Sequence, residues 1–381
     1  MSRIAALPVE PSDTARPEPT QDLIGLLAAP GPMGPALSAA LEDLPAASVP
    51  ALIDRLVYHR VDGLAWRALS QVPADGVDPW LRATLKRRHQ QRCSATLVQG
   101  LALAEVLETL AHASVPVVVT RGLRIVEWIY QDPGARPFED HDLLVRPADE
   151  PAARAALARL GYEEAATGLF RRATVSIDLH TDPLGARRRP TRRALFPIDL
   201  VALFRDARPG WVAGGRALLL APEDDLLLMA LHVVKHSFDR LIRTADLAHL
   251  IAVHGRALCW EAVRDKAEAA HAGRLLGLAL GAAEPLGVLV PEPVRLREPE
   301  GGLEGLLMQR VRALRPLPYG GEVLMALSAP RLLDRMRFLF DALFPAGERP
   351  LEGFRAQDIP RRTVVLLDGA ARQLRARRRA R

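Results

Sequence analysis

Three aspartates sit in stretches whose other residues ask to be buried in a sheet, and that conflict constrains the chain most. V-P-V-V-V-T-R-G runs from Val115 to Gly122, R-P-F-E-D-H-D-L-L-V from Arg136 to Val145, and V-S-I-D-L-H from Val175 to His180. Short β-branched and aliphatic runs of this kind predict buried strands. Asp140, Asp142 and Asp178 fall on the second and third of them. Burying an unpaired carboxylate is expensive, so each needs a partner. A shared divalent cation would supply one.

Side chains alternate along a strand, so Asp140 and Asp142 share one face, with His141 and Leu143 opposed. Ser176, Asp178 and His180 share a face in the same way, opposite Ile177 and Leu179. If the two strands are neighbours, Asp178 completes a three-carboxylate cluster whose mutual repulsion a metal relieves. Oxygen donors at this spacing suit Mg²⁺ or Mn²⁺. Gly122, at a strand end and opening a helix, lets backbone N–H groups approach a phosphate. Arg121 beside it carries a fork that matches phosphate oxygens. Arg136 has two readings, a triphosphate contact or a pair with Glu139. His180 has two as well: orienting a carboxylate or accepting a proton. Lys235 could reach a phosphate from the helical part of the chain.

The order of predicted elements is helices, then an α/β unit, then helices. A Pro-rich lead-in over 1–20 is read as disordered, followed by a helical N-terminal region over 21–113. Its last helix starts at Asp78-Pro79 and runs to Ala113. The basic stretch Lys86–Arg92 within it reads as a solvated face rather than a phosphate contact. An α/β core spans 114–220. It has strands at 115–120, 140–145, 169–172, 174–180 and 215–220, and helices at 123–130 and from Pro147 to a cap at Gly161. A helical C-terminal region over 221–381 has helices at 224–236, 241–253, 260–270, 274–286, 303–315, 322–344 and 360–378. It ends in a basic tail, Arg372–Arg381. His232 and His236 stand four apart on one helix face, a metal-ligand spacing, but without a metalloprotease glutamate a core role is expected. Asp246 is expected to cap its helix or pair with Arg243.

Among 381 residues the formal charge is +6, and lysine occurs only at Lys86, Lys235 and Lys266. The excess charge is spread along the chain. Nucleic acid is therefore weakly supported as a partner, through the arginine-rich loop Gly185–Arg193 and the tail. Cys93 and Cys259 form no paired motif, which argues against a zinc ribbon or a disulfide framework. No signal-peptide pattern and no apolar run of membrane-spanning length is evident, so a cytoplasmic protein without a membrane partner is expected.

T-R-G followed by R-P-F-E-D-H-D-L-L-V and I-D-L-H resembles the uncharacterised nucleotidyltransferase family of the DNA polymerase β-like superfamily. The close likeness covers about residues 110–182, with a looser one over H-V-V-K-H and T-A-D-L in 224–253. The resemblance implies an α+β fold: a small mixed-sheet nucleotidyltransferase core with helical N-terminal and C-terminal regions. It implies triphosphate binding at Gly122, metal binding at Asp140 and Asp142, and the third acid at Asp178. An NTP such as ATP would be the donor, and the acceptor a small molecule, peptide or protein. The chain departs from the family in having Arg121 where lysine is usual and Leu123 where serine is usual. A nucleotide-binding or interaction protein with weak catalysis is the alternative reading.

Overall fold

The computed structural model describes residues 19–31, 34–185, 190–296 and 302–343. The first 18 residues of the expected lead-in, the middle of the arginine-rich loop, the 360–378 helix and the basic tail lie outside these residues, while Pro19 and Thr20, expected as disordered, open the first helix. Helices α1 (Pro19–Ala28), α2 (Gly34–Glu42), α3 (Val49–Tyr58) and α4 (Asp62–Leu69) come first. They are followed by the long α5 (Pro79–His112), whose start is fixed by Asp78: its Oδ1 accepts from Leu81 N at 2.9 Å. That bond satisfies one of the amides a helix start leaves open.

The α/β part follows as β1 (Val117–Val119), α6 (Leu123–Ile125), β2 (His141–Val145), α7 (Glu150–Arg159), β3 (Glu163–Ala166), β4 (Leu169–Arg172) and β5 (Val175–His180). Then come α8 (Pro190–Leu195), α9 (Leu200–Asp206), β6 (Arg208–Val212) and β7 (Gly215–Leu219). The seven strands form one mixed sheet in the order β3-β4-β5-β2-β1-β7-β6. Strand β2 runs parallel to β5, and β1 parallel to β7, while the other pairs are antiparallel. The expected hairpin turns at Ala173, which takes φ 51°. Strands β3 and β6 were not anticipated. β3 is exposed along its whole length and β6 contains Pro209 and Gly210, so neither carries a buried-strand pattern. The helix expected over 123–130 is one α turn followed by a π turn, Val126–Tyr130, ending at left-handed Gln131.

The C-terminal helices are α10 (Pro222–Lys235), α11 (Leu241–His254), α12 (Trp260–Ala269), α13 (Gly273–Ala283), α14 (Gly302–Arg312), α15 (Gly320–Ser328) and α16 (Leu332–Leu343). The single helix expected over 322–344 is broken into α15 and α16 at Pro330, which has no N–H to continue the ladder. One apolar core joins α1, α3 and α4 to α10, α11, α13 and α15. A second core, with Leu103, Leu107, Leu143, Val145 and Ile177, packs α5 and α7 on one sheet face. Complete burial of one such leucine contributes about 2 kcal/mol. On the other face Val118 and Leu144 meet Leu203 and Phe204 of α9 and Leu228 of α10. Alternation places Asp142 on that second face.

The basic stretch of α5 is not a simple solvated face. Arg88 Nε and Arg92 Nη2 bind the buried carboxylate of Asp62 at 2.8 and 2.7 Å. Among the described residues α5 is long and apolar enough to cross a membrane by length and composition, although Glu105 and Glu108 interrupt its apolar part. Its Leu103, Val106, Leu107 and Leu110 are covered by the sheet, while Leu97, Val98 and Leu101 remain exposed.

Candidate active site

The parallel register of β2 and β5 sets Asp142 directly opposite Asp178. His180, one strand position further along the same face, lies between them. Its Nε2 is 3.1 Å from Asp142 Oδ1 and 3.2 Å from Asp178 Oδ2. Donor atoms of Asp142, Asp178 and His180 all lie within 4.8 Å of one another. Asp140 is outside that tight group, because it precedes β2, where the chain turns past Gly122. The cluster expected as three aspartates is, at this distance, two aspartates and a histidine. Asp140 is still coupled to them: burial, then the neighbouring Asp142 charge, pushes its carboxyl up to about 6.

Arg121 lies across the cluster. Its Nε donates to Asp142 Oδ2 at 3.0 Å and its Nη2 to Asp142 Oδ1. Burial opposes ionisation of Asp142, but the Arg121 guanidinium and the His180 hydrogen bond outweigh it and hold the carboxyl well below the usual range. Burial likewise opposes a charged His180, and its bonds to Asp142 and Asp178 reverse the balance and raise its pKa. A guanidinium and an imidazole therefore grip one buried carboxylate, the arrangement in which such a charge is tolerated.

Gly122 is required by the backbone. It takes φ 62° and ψ −124°, and a Cβ there would stand 2.8 Å from the Asp140 carbonyl oxygen. The loop after β1 is thus pressed onto the start of the acidic strand, and the amide of Thr120 donates to the Asp142 carbonyl at 3.1 Å. Gly122→Ala is expected to destabilise the fold by about 2 kcal/mol or more, read as a lower urea midpoint, and to weaken nucleotide binding at the same time. A midpoint equal to that of the wild type would show that the loop is free to relax.

Lys235, at the end of α10, faces the cluster from the helical side. Burial, then the charges of Arg121 and Arg192, lowers its ammonium to about 7, while Asp142 and Asp178 act in the opposite sense. Its Nζ is 3.9 Å from where a Cβ of Gly185 would be. On the same helix the rings of His232 and His236 touch, with centroids 4.4 Å apart. Burial holds both imidazoles neutral, His236 at about 2 and His232 well below its ordinary value.

Arg136 is committed elsewhere. Its Nε reaches both oxygens of Asp246 at 2.9 Å, and Tyr130 Oη donates to Asp246 Oδ1 at 2.8 Å. Its partner is therefore Asp246 rather than Glu139, which pairs with Arg60. Asp246 in turn is not held by Arg243, which pairs with Asp239. Sequence reading also missed Asp225, buried under the loop 3.7 Å from Arg124. Burial pushes its carboxyl up to about 7. Its only signal was a third acid in the first turn of α10, after Glu223 and Asp224, which helix-dipole arguments explain without a function.

The donor set fits a divalent cation. Asp142 and Asp178 offer hard oxygens, His180 a nitrogen, and Asp140 stands beside them. The same set already holds one cation, the Arg121 guanidinium. Comparison with known sequences finds that the profile of a family described as uncharacterised nucleotidyltransferase matches residues 45–286. No curated protein and no solved structure matches the chain.

Proposed function

Because the chain belongs to the uncharacterised nucleotidyltransferase family, we propose that its cleft moves a nucleoside monophosphate from an NTP to a hydroxyl acceptor, with loss of pyrophosphate. The observation that carries this reading is the register that sets Asp142 against Asp178 beneath Gly122 and Arg121. Asp142 and Asp178, with Asp140 at the strand entrance, would hold Mg²⁺ or Mn²⁺. Such an ion supplies charge neutralisation at the α-phosphate and a more acidic acceptor hydroxyl.

The chain's own groups do the rest. The backbone at Gly122 admits the triphosphate close to the N–H groups that follow it. Arg121 exchanges Asp142 for phosphate oxygens, which match its fork equally well. Lys235 faces the phosphates from α10. Asp178, less buried than Asp142, would take the acceptor proton as the oxygen attacks the α-phosphorus in line. His180 keeps both carboxylates oriented while this happens.

A lysine held at about 7 regains its charge when a polyanion arrives. Above pH 7 the free protein lacks that proton and must take it up on binding. NTP affinity should therefore fall as pH rises from 7 toward 9, by up to about tenfold per unit. Titration calorimetry in two buffers of different ionisation enthalpy should show proton uptake. Lys235→Met should abolish both effects, and an unchanged slope in that variant would remove Lys235 from the phosphate site.

The reaction itself is tested with NTPs labelled at the α- or the γ-phosphate, Mg²⁺ or Mn²⁺, and a cell extract as acceptor source. Label is expected to be transferred from the α-position alone, with pyrophosphate released in equal amount. Transfer of γ-label would make the protein a kinase and overturn the proposal. A second reading is a nucleotide-binding protein that does not turn over. Arg121 locked on Asp142 and Leu123 buried in the core favour it. NTP binding without pyrophosphate release would decide for it.

A further inference from the structure

Away from the acidic cluster, α5 and the loop after the π turn bring together three side chains of unlike chemistry. His89 and Cys93 stand four apart on α5, on one helix face. Cys93 Sγ is 3.7 Å from His89 Nδ1, and His89 Nε2 is 2.9 and 3.0 Å from the two oxygens of Asp132. One donor atom from each lies within 4.8 Å of the others. The loop that carries Asp132 is fastened in place. Gly134 N donates to Asp132 Oδ1 at 2.9 Å, Arg92 Nη1 donates to Gly134 O at 3.1 Å, and Thr96 Oγ1 donates to Pro133 O at 2.8 Å. Gly134 also makes room for the imidazole, since a Cβ there would stand 2.4 Å from the His89 ring. Asp132 further lines a cavity of about 600 Å³ with Thr96, Leu97, Gly100, Leu123 and Glu127.

We propose that His89, Cys93 and Asp132 form a binding site for Zn²⁺, separate from the nucleotidyl-transfer cluster. A thiolate, an imidazole and a carboxylate are the donors zinc takes, and three protein ligands leave a fourth position for water or a ligand from the cavity. Mg²⁺ is excluded by the sulfur and nitrogen donors, which suit borderline-soft ions. His89 turns Nδ1 to the thiol and Nε2 to the carboxylate, so a single ion takes one ring nitrogen and draws the opposite ligand toward it by side-chain rotation, while the fastened loop keeps Asp132 close. Cys93 is the proton source. Without a metal, burial and then the Asp132 charge raise its thiol pKa, so it stays protonated. Coordination releases that proton and leaves the sulfur as thiolate.

The test uses the full chain, stripped with a chelator and titrated with Co²⁺ as a spectroscopic substitute and Zn²⁺ as competitor. One equivalent is expected to bind with a thiolate-to-cobalt charge-transfer band that Zn²⁺ abolishes, apart from any ion taken without that band by the Asp142, Asp178 and His180 cluster. Cys93→Ser should lose the band and weaken zinc binding at least about a hundredfold, beyond the roughly 10–100-fold cost of losing an outer-shell partner. Cys259→Ser, which alters the exposed cysteine, should leave both unchanged. The pair Asp142→Asn and Asp178→Asn should also leave them unchanged, so failure here is distinguishable from failure of the proposed transferase. Circular dichroism of Cys93→Ser checks that the helix persists, and His89→Gln gives a second removal. No band in the wild-type protein, or a band that survives Cys93→Ser, would reduce the trio to a hydrogen-bonded clamp between α5 and the loop.

Discussion

Asp142→Asn is expected to leave a folded protein whose transfer rate is lower by about a thousandfold or more, the scale of losing a principal electrostatic group in a phosphoryl-transfer site. Asp142 is the point on which the site converges: Arg121 takes both its oxygens and His180 shares one. Asparagine keeps the shape but presents an NH₂ group where a donor already points. One of the two contacts must then break, and the negative charge that any cation needs is gone. Part of the effect will be on stability, since Arg121 is left buried with half its partner. The measurement is therefore pyrophosphate release per folded molecule, with circular dichroism and a urea midpoint on the same sample. Asp178→Asn should also stop turnover while costing less stability, because its side chain is 30% exposed against 10% for Asp142. Turnover of Asp142→Asn within tenfold of the wild type would remove Asp142 from the chemistry.

The largest loss of stability is expected from Asp246→Ala, about 3–5 kcal/mol, the range for removing one partner of a buried ion pair. Arg136 and Asp246 have side chains 9% and 4% exposed, and Tyr130 Oη is the third member of the network. Alanine leaves a buried guanidinium without its counter-charge and a phenol without its acceptor. A double variant, Arg136→Met with Asp246→Leu, should recover most of the loss, because it removes the stranded charge together with its partner. Urea unfolding of the single and double variants measures both. A loss below about 1 kcal/mol for Asp246→Ala would mean that water reaches the network in solution. The network ties the π turn after the Gly122 loop to α11, so, on the proposed function, a large loss should be accompanied by weaker nucleotide binding.

Residue by residue, the readable and unreadable parts of the site divide by range. That Asp142 and Asp178 lie on strands, with His180 on the face of Asp178, follows from periods of two over six residues. That Gly122 ends a strand and opens a turn follows from its neighbours. Asp78 as the cap of α5 was legible for the same reason. Arg121 is read from sequence as a phosphate-sized fork, and its pairing with Asp142, which lies 21 residues further along, is not legible there. Arg136 found Asp246 at a separation of 110 residues, and no pattern in either segment names the other. Strand β3 was missed because none of its residues is buried, so its sequence bears no mark of the sheet.

Family membership, the strands that carry Asp142 and Asp178, and the glycine turn were determined by the chain itself, because backbone alternation and turn geometry act over a few adjacent residues. Which charges meet was decided only by the tertiary structure. The register of β2 on β5, the hold of Arg121 on Asp142 and the meeting of His89, Cys93 and Asp132 depend on segments distant in sequence. Coulombic and hydrogen-bond energies fall off over a few ångströms. A charged side chain therefore acquires its role from whatever the fold brings within reach.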